Sequence, residues 1–218
     1  MKKGTKNDSK NPSIIYLIIK RLIDVICGII GLIVLIPITI IIKVVSVLNG
    51  DFGSVFFTQN RIGLNGKEFK FYKYRTMVPN ADEKLFKLLE ENEEAAAEYK
   101  IHKKLKNDPR ITKIGKILRK TSIDELPQLI NVLIGDMSLI GNRPYLPREK
   151  EDMGEYFDEI VKSKPGLTGY WQVSGRSDTT FANRLNLESY YSNHMSLWMD
   201  IKIFFKTFGA VIFGHGAE

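Results

Sequence analysis

Thr121-Ser122-Ile123-Asp124-Glu125-Leu126-Pro127-Gln128-Leu129 sets two adjacent carboxylates at the expected start of a helix, and the rest of the chain is read by what it brings to them. Leu126, Leu129, Ile130 and Leu133 recur at helical spacing, so one face is expected to bury, while Asp124, Gln128 and Asn131 share another at i, i+4 and i+7. The spacing therefore predicts an acidic pair on a packed element. Capping accounts for the pair without any chemistry: Ser122 followed three residues later by Glu125 is a capping box, and acids in a first turn suit the helix dipole. Pro127 fits only a first turn and favours a start nearer Asp124, which leaves the cap register open.

Working outward, 218 residues suffice for one core plus an anchor, and no segment repeats. A formal charge of +7 and a pI near 9.3 favour an anionic partner, whether nucleic acid, membrane surface or phosphorylated small molecule. The single cysteine, Cys27, excludes an internal disulfide framework and fits a reducing, cytosol-facing compartment. His102, His194 and His215 lack metal-ligand spacing, so no zinc site is expected, and neither a dinucleotide fingerprint nor a Walker loop is present.

Residues 1–13, with Lys2, Lys3, Lys6 and Lys10, read as a disordered basic tail that an anionic leaflet attracts or that is simply solvated. Residues 14–48 contain eighteen consecutive positions without a charge, Val25 to Ile42, flanked by Lys20, Arg21 and Asp24 before and Lys43 after. That is membrane-grade hydrophobicity, and a cleaved signal peptide is discounted because the run is long for one and shows no small-residue cleavage site before Val44-Val45-Ser46-Val47-Leu48. Pro37 in its middle removes a backbone hydrogen bond, and basic residues on both flanks give no orientation. A re-entrant helix that bends at Pro37 and returns to the same leaflet explains both facts; a single kinked span is the alternative.

Residues 49–218 read as a cytosolic, membrane-associated domain. Val55 to Gln59 and Phe69 to Tyr74 are rich in strand formers around Asn65-Gly66, which predicts an antiparallel hairpin. Ala81 to about Leu105 predicts one helix with a solvated charged face, ended by Asp108-Pro109. Gly135-Asp136, Gly141-Asn142-Arg143-Pro144 and Pro165-Gly166-Leu167-Thr168-Gly169 are expected as loops. Arg143 and Arg176 on such stiff loops form a candidate phosphate clamp, with plain surface arginines as the other reading. Leu197 to Phe213 predicts a helix in the membrane interface or, equally, a core helix. The fold class is α+β, mostly helical.

Several separated stretches carry a resemblance: Lys20-Arg21-Leu22-Ile23-Asp24, Gln59-Asn60-Arg61-Ile62-Gly63, Gly66-Lys67, Tyr74-Arg75-Thr76-Met77, the acidic stretch, Gly135-Asp136-Met137-Ser138, Arg143-Pro144 and the Pro-Gly-Leu-Thr-Gly segment. In number and order they resemble the bacterial sugar transferases, the monotopic polyprenyl-phosphate phosphoglycosyl transferases that start capsule, exopolysaccharide and glycoprotein glycan assembly. Ile36 stands where members often carry serine, and Asn142 where they often carry proline.

The resemblance implies a monotopic protein on the cytoplasmic face of the bacterial inner membrane, with a re-entrant helix broken at Pro37. It implies Asp124 as nucleophile and Glu125 as its catalytic partner, and transfer of a sugar 1-phosphate from a UDP-sugar to polyprenyl phosphate with release of UMP. Two anions must meet, so Mg2+ (or Mn2+) held by Asp124 and Glu125 is expected, with Arg75, Arg119, Arg143, Pro144 and Arg176 as the candidate phosphate-binding set. Membrane lipids are expected partners, nucleic acid is not, and a homodimer is left open. The rival readings are a membrane-anchored scaffold without activity and a glycosyltransferase that leaves UDP.

Overall fold

The computed structural model describes residues 12–102, 105–174 and 179–212; most of the basic tail, Arg176 and His215 lie outside them. The charge-free run forms the middle of one helix, α1 (Ile14–Leu48), which carries Pro37 inside it. The expected interruption at Pro37 is therefore not seen in the secondary structure. Polar groups gather one turn away: the Leu35 carbonyl accepts from Thr39 Oγ1 at 2.8 Å and from the Tyr74 hydroxyl at 3.4 Å, and the two hydroxyls lie 2.6 Å apart.

One face of α1 is docked along its length, while Ile18, Leu22, Ile26, Ile29, Ile33, Ile36 and Ile40 on its other faces stay exposed. The charged residues before the apolar run, read above as flanks, are in fact docking contacts. Lys20 donates to Asp200 Oδ2 at 2.5 Å and to the Ile140 carbonyl at 2.8 Å. Arg21 donates to the Val132 and Leu133 carbonyls at 2.6 and 2.7 Å, and Asp24 Oδ1 accepts from Leu139 N at 2.8 Å. At the far end Lys43 reaches the Phe52 and Gly53 carbonyls.

The expected hairpin forms from β1 (Phe56–Ile62) and β2 (Glu68–Tyr74), antiparallel with Phe56 opposite Tyr74. Its turn needs left-handed backbone at Asn65 (φ 56) and Gly66 (φ 76), the two residue types that adopt it most cheaply. The single helix expected from Ala81 is instead two, α2 (Ala81–Glu91) and α3 (Glu93–His102). Asn92 between them is extended (φ −137, ψ 103) and its Oδ1 accepts from Ala95 N at 2.9 Å, so an asparagine read as part of the helical stripe caps a new helix.

Helix α4 (Lys113–Lys120) is capped by Thr112, whose hydroxyl accepts from Gly115 N at 2.9 Å. Gly115 lies so close to the Thr76 carbonyl that a side chain there would overlap it. The chain then makes a 3-10 turn over Ile123–Glu125 and enters α5 (Gln128–Ile134) through Pro127. Next come β3 (Ser138–Ile140), α6 (Lys150–Met153), α7 (Phe157–Ile160) and β4 (Gly166–Thr168). The last helices are α8 (Tyr170–Ser174), α9 (Phe181–His194) and α10 (Leu197–Ile212). Residues Pro165 to Gly169, expected as a loop, supply β4, which pairs in parallel with β3. On α10, Asp200 and Ile203 face inward while Trp198, Phe204, Phe205 and Phe208 are exposed, so it has both the core contact and the outward apolar face that were weighed as alternatives.

The protein is mostly helical with a small hairpin at its centre. Helix α5 lies between that hairpin and α1: Leu129 and Leu133 meet Gly31 and Gly28 of α1. Asn131, fully buried, accepts from Tyr72 N at 3.1 Å and donates to the Lys70 carbonyl at 2.6 Å, which fastens α5 to the edge of β2.

Candidate active site

Asp124 and Glu125 do not cap a helix. Ser122 is left-handed (φ 55) and makes no side-chain capping bond, and α5 begins three residues beyond Glu125, at Gln128. Pro127 explains the displacement: its fixed φ and missing donor suit the entry to a helix, so the acids before it are left on the tighter turn. Asp124 is buried at 7% exposure, as are Gln128 and Asn131, so the polar face that was set apart from the apolar one by spacing is itself buried.

The side chain shared by the two acids is Lys73 from β2. Its ammonium is 2.7 Å from Glu125 Oε1 and 3.6 Å from Asp124 Oδ2. Burial pushes the Asp124 carboxyl above its ordinary range, Lys73 opposes that, and the neighbouring Glu125 charge adds to it. Lys73 was legible only as part of a strand. Alternation puts it on the same side of β2 as the buried Phe71, an unusual place for a lysine without an acidic partner.

Phe71 also carries the second missed residue. Lys73 Nζ lies 5.7 Å and the Arg61 guanidinium 5.3 Å from its ring centre. Arg61 donates to the Pro144 carbonyl at 3.0 Å and to Gln59 Oε1 at 3.1 Å, so Pro144 ties the arginine-bearing loop to β1 through its backbone. Burial, with the like charges of Arg143 and Arg148 and against the opposing charges of Glu149 and Glu125, lowers the Arg61 guanidinium to about 10. Glu149 Oε2, 4.0 Å away, balances part of this charge, and an incoming anion would relieve the crowding by the other guanidiniums.

Arg143 is half-buried, its guanidinium 5.7 Å from the Tyr145 ring centre and without a hydrogen bond or ion pair among the described residues. Its amide donates to Glu188 Oε1 at 3.1 Å. Asn142 makes up for the missing proline by donating to the Ile160 carbonyl, Ser163 Oγ and Ser192 Oγ at 3.1, 3.0 and 2.7 Å, which holds the loop rigid by hydrogen bonds. Arg119 is exposed beside the acids, its Nε donating to Thr76 Oγ1 at 3.0 Å, and its charge acts on Asp124. Arg75 is committed to Asp51 at 2.6 Å. Of the candidate set, the structure brings Asp124, Glu125 and Arg119 together, links the Arg143-Pro144 loop to them through Arg61, and pairs Arg75 elsewhere.

Among the described residues no cluster of three or more His, Cys, Asp or Glu side chains could alone hold a metal. Two hard carboxylates are nevertheless the protein share that magnesium usually takes, the remaining ligands being water and phosphate oxygens, so the donor set fits such an ion. Lys73 supplies the positive charge between the acids.

A buried aspartate with a half-exposed glutamate beside it, close to guanidiniums and packed against a long apolar helix, suits chemistry on an anion at an apolar surface. Residues 15–214 match the family described as bacterial sugar transferase, and the chain belongs to that family. Among its relatives, the undecaprenyl-phosphate galactose phosphotransferase of Salmonella typhimurium is 45% identical over 199 residues, 91% of this chain and 41% of that protein. The exopolysaccharide production protein ExoY of Sinorhizobium fredii is 42% identical over 91% of this chain and 87% of its own length. The sugar transferase EpsL of Bacillus subtilis, uncharacterized, is 36% identical over 93% and 91%. The chain thus spans about two fifths of the longer relatives, at 41–42% of their length, and most of the shorter ones.

Proposed function

We propose that the protein transfers a sugar 1-phosphate from a UDP-sugar to undecaprenyl or a similar polyprenyl phosphate. The observation that carries this reading is that Asp124 is buried and performs no capping, which removes the structural explanation for the acid pair, while Lys73 and Arg119 bring positive charge to it. The names of relatives, undecaprenyl-phosphate galactose phosphotransferase and UDP-galactose-lipid carrier transferase, supply the substrate class.

In the first step an Asp124 carboxylate oxygen attacks the phosphorus that bears the sugar; the bond to the bridging diphosphate oxygen breaks and UMP departs. An acyl phospho-sugar remains on Asp124. In the second step an oxygen of the lipid phosphate attacks the same phosphorus, the acyl bond breaks, and the carboxylate is restored with polyprenyl-diphosphate-sugar as product. Lys73 keeps Asp124 ionised, Glu125 sits where it can handle a proton of the incoming or leaving phosphate, and Arg61, Arg143 and Arg119 receive phosphate charge. Arg176, outside the described residues, is assigned the same role from the sequence. Magnesium held by Asp124 and Glu125 would supply further neutralisation of the diphosphate.

The same reading gives the apolar helix its work. Both halves of α1 are fastened to one folded body, the first by Lys20 to Asp200 and the second by Leu35 and Ile42 packing in a cluster with Tyr74 and Leu118. A helix so held along its length enters and leaves on one side, which supports a monotopic, re-entrant seat on the cytoplasmic face, with α10 in the interface and residues 49–218 as the catalytic domain. The exposed aromatic residues of α10, with Lys202 over Trp198 at 5.1 Å, suit that depth.

Asp124→Asn tests the chemistry. Asparagine preserves shape but cannot form the intermediate, so a folded, membrane-bound variant should lose turnover. Wild type given UDP-sugar without lipid acceptor should carry a hydroxylamine-labile phospho-sugar on the Asp124 peptide and release UMP. UDP as the product would mean transfer of the sugar alone, and wild-type turnover in Asp124→Asn would end the covalent reading.

A further inference from the structure

Behind the Arg143 loop lies a carboxyl that the reaction above does not use. Glu188 on α9 is 1% exposed. Its Oε1 accepts the Arg143 amide at 3.1 Å, while its Oε2 is buried without a hydrogen-bond partner and no ion pair reaches it among the described residues. The Tyr145 hydroxyl faces it and favours its charged form. From its own helix Arg184 acts on it, a guanidinium stacked 4.3 Å from the Trp171 ring centre whose buried Nε is likewise unpartnered.

The surrounding elements bring little else that titrates. On α7, Glu159 accepts from Ser189 and Asn193. On the turn before α7, Tyr156 donates to Asn186 at 2.8 Å. The charge of Glu188 is therefore balanced by two guanidiniums, Arg143 and Arg184, neither in direct contact with it. Arg184 is itself held below its ordinary value by burial and by the charge of Arg143, so this corner has cations to offer an anion.

We propose that Glu188 is a proton-coupled positioning residue: when a diphosphate settles on Arg143 and Arg184, Glu188 takes up a proton from solvent, and it gives the proton back when the nucleotide leaves. The inference rests on the reading of Arg143 as a diphosphate contact. An arriving anion draws on the same guanidiniums that stabilise the buried carboxylate and adds negative charge nearby, and both effects favour the protonated carboxyl. Burial already pushes the Glu188 carboxyl up to about 7, opposed by Tyr145, the Arg143 amide and the two guanidiniums, so the proton is exchangeable near neutral pH. Protonated, Glu188 still accepts the Arg143 amide and keeps the loop in place.

The probe is UDP, which carries the diphosphate and no sugar to transfer, with the full-length protein in detergent micelles. Calorimetry at about pH 8 in buffers of different ionisation enthalpy reads proton uptake, and at that pH the phosphates of UDP are already ionised. Wild type should take up about half a proton or more per UDP, the linkage expected of a carboxyl moved from below to above the working pH. Glu188→Gln, a neutral mimic of the protonated state, should lose the uptake. It should also bind UDP tighter by up to about tenfold at pH 8, a gap that closes toward about pH 6.5. A merely structural glutamate predicts weaker binding instead.

Zero uptake in wild type that binds UDP, or unchanged uptake in folded Glu188→Gln, overturns the inference and leaves the proposed function standing. If Glu188→Gln does not fold, the wild-type uptake decides alone. Failure of wild type to bind UDP at all overturns the diphosphate reading and this inference with it.

Discussion

Lys73→Met isolates the electrostatics of the nucleophile. Methionine keeps the length and apolar stem of lysine, so packing on Phe71 survives while the charge is lost. At 3.6 Å, the attraction between Lys73 and Asp124 is about 5 kcal/mol at an effective dielectric near 20. The cost of taking the ammonium partly out of water offsets much of that, leaving about 1–3 kcal/mol in favour of the ionised carboxylate. The 2.7 Å contact with Glu125 counts for less, because that side chain is 40% exposed and screened by water.

The sign follows from burial. Asp124 already holds its proton more tightly than a free aspartate, and Lys73 restrains that tendency. Removing Lys73 moves the carboxyl further up, so the ionised nucleophile is lost earlier as pH falls. The assay is UMP release and labelling of the Asp124 peptide across a pH series. In Lys73→Met the rate at about pH 6 should fall about tenfold or more relative to that at about pH 8, beyond any fall in wild type. Lys73→Arg keeps the charge and should hold the acid limb near its wild-type place. A Lys73→Met profile that superimposes on wild type would refute the assignment of Lys73 as the group that keeps Asp124 ionised.

Asn131→Leu should destabilise the protein by about 2–5 kcal/mol, because it strands the Tyr72 amide and the Lys70 carbonyl in a buried place; a denaturation midpoint unchanged from wild type would contradict that. For α1, with Cys27 replaced, single cysteines at Asn49 and Pro12 should react with an impermeant thiol reagent from the same side of the membrane. Labelling from opposite sides would make α1 a span.

The hairpin was legible because a strand pattern broken by Asn65-Gly66 has few other solutions. Spacing showed that Asp124, Gln128 and Asn131 share a face, but the face expected to bury was that of Leu126, Leu129, Ile130 and Leu133; the polar face is buried as well, because β2 lies against it. The cap register was not: the capping-box pattern is real in the sequence, but Pro127 displaced the helix start and Ser122 turned left-handed, an effect of backbone sterics that no spacing rule contains. Lys73, Arg61 and Glu188 were missed for a different reason. Each acquires meaning only from a partner 45 or more residues away, as in the pairs Lys73 with Asp124, Arg61 with Pro144, and Glu188 with Arg143. Lys20, Arg21 and Asp24 were visible but misread, since charges beside an apolar run look like membrane flanks until the groups that receive them are known.

Those three contacts bear on how the chemistry is held at a lipid surface. Helix α5 starts at Gln128, three residues beyond Glu125 of the acidic turn, is joined to the Lys73-bearing strand by Asn131, and ends in carbonyls that receive Arg21 of α1. Gly28 and Gly31 let the two helix backbones approach where any larger residue would meet Leu133 or Leu129. The acid pair is thus fixed to the apolar helix through one short element with no flexible linker between them. In the proposed reaction the lipid phosphate stays at a fixed depth, so a nucleophile at a fixed height above α1 meets it without searching, and the saving in lost freedom appears in the transfer step. A close-packed glycine seam between α1 and α5 serves catalysis in this view by holding distance, which is a role that residues outside the charged site can carry.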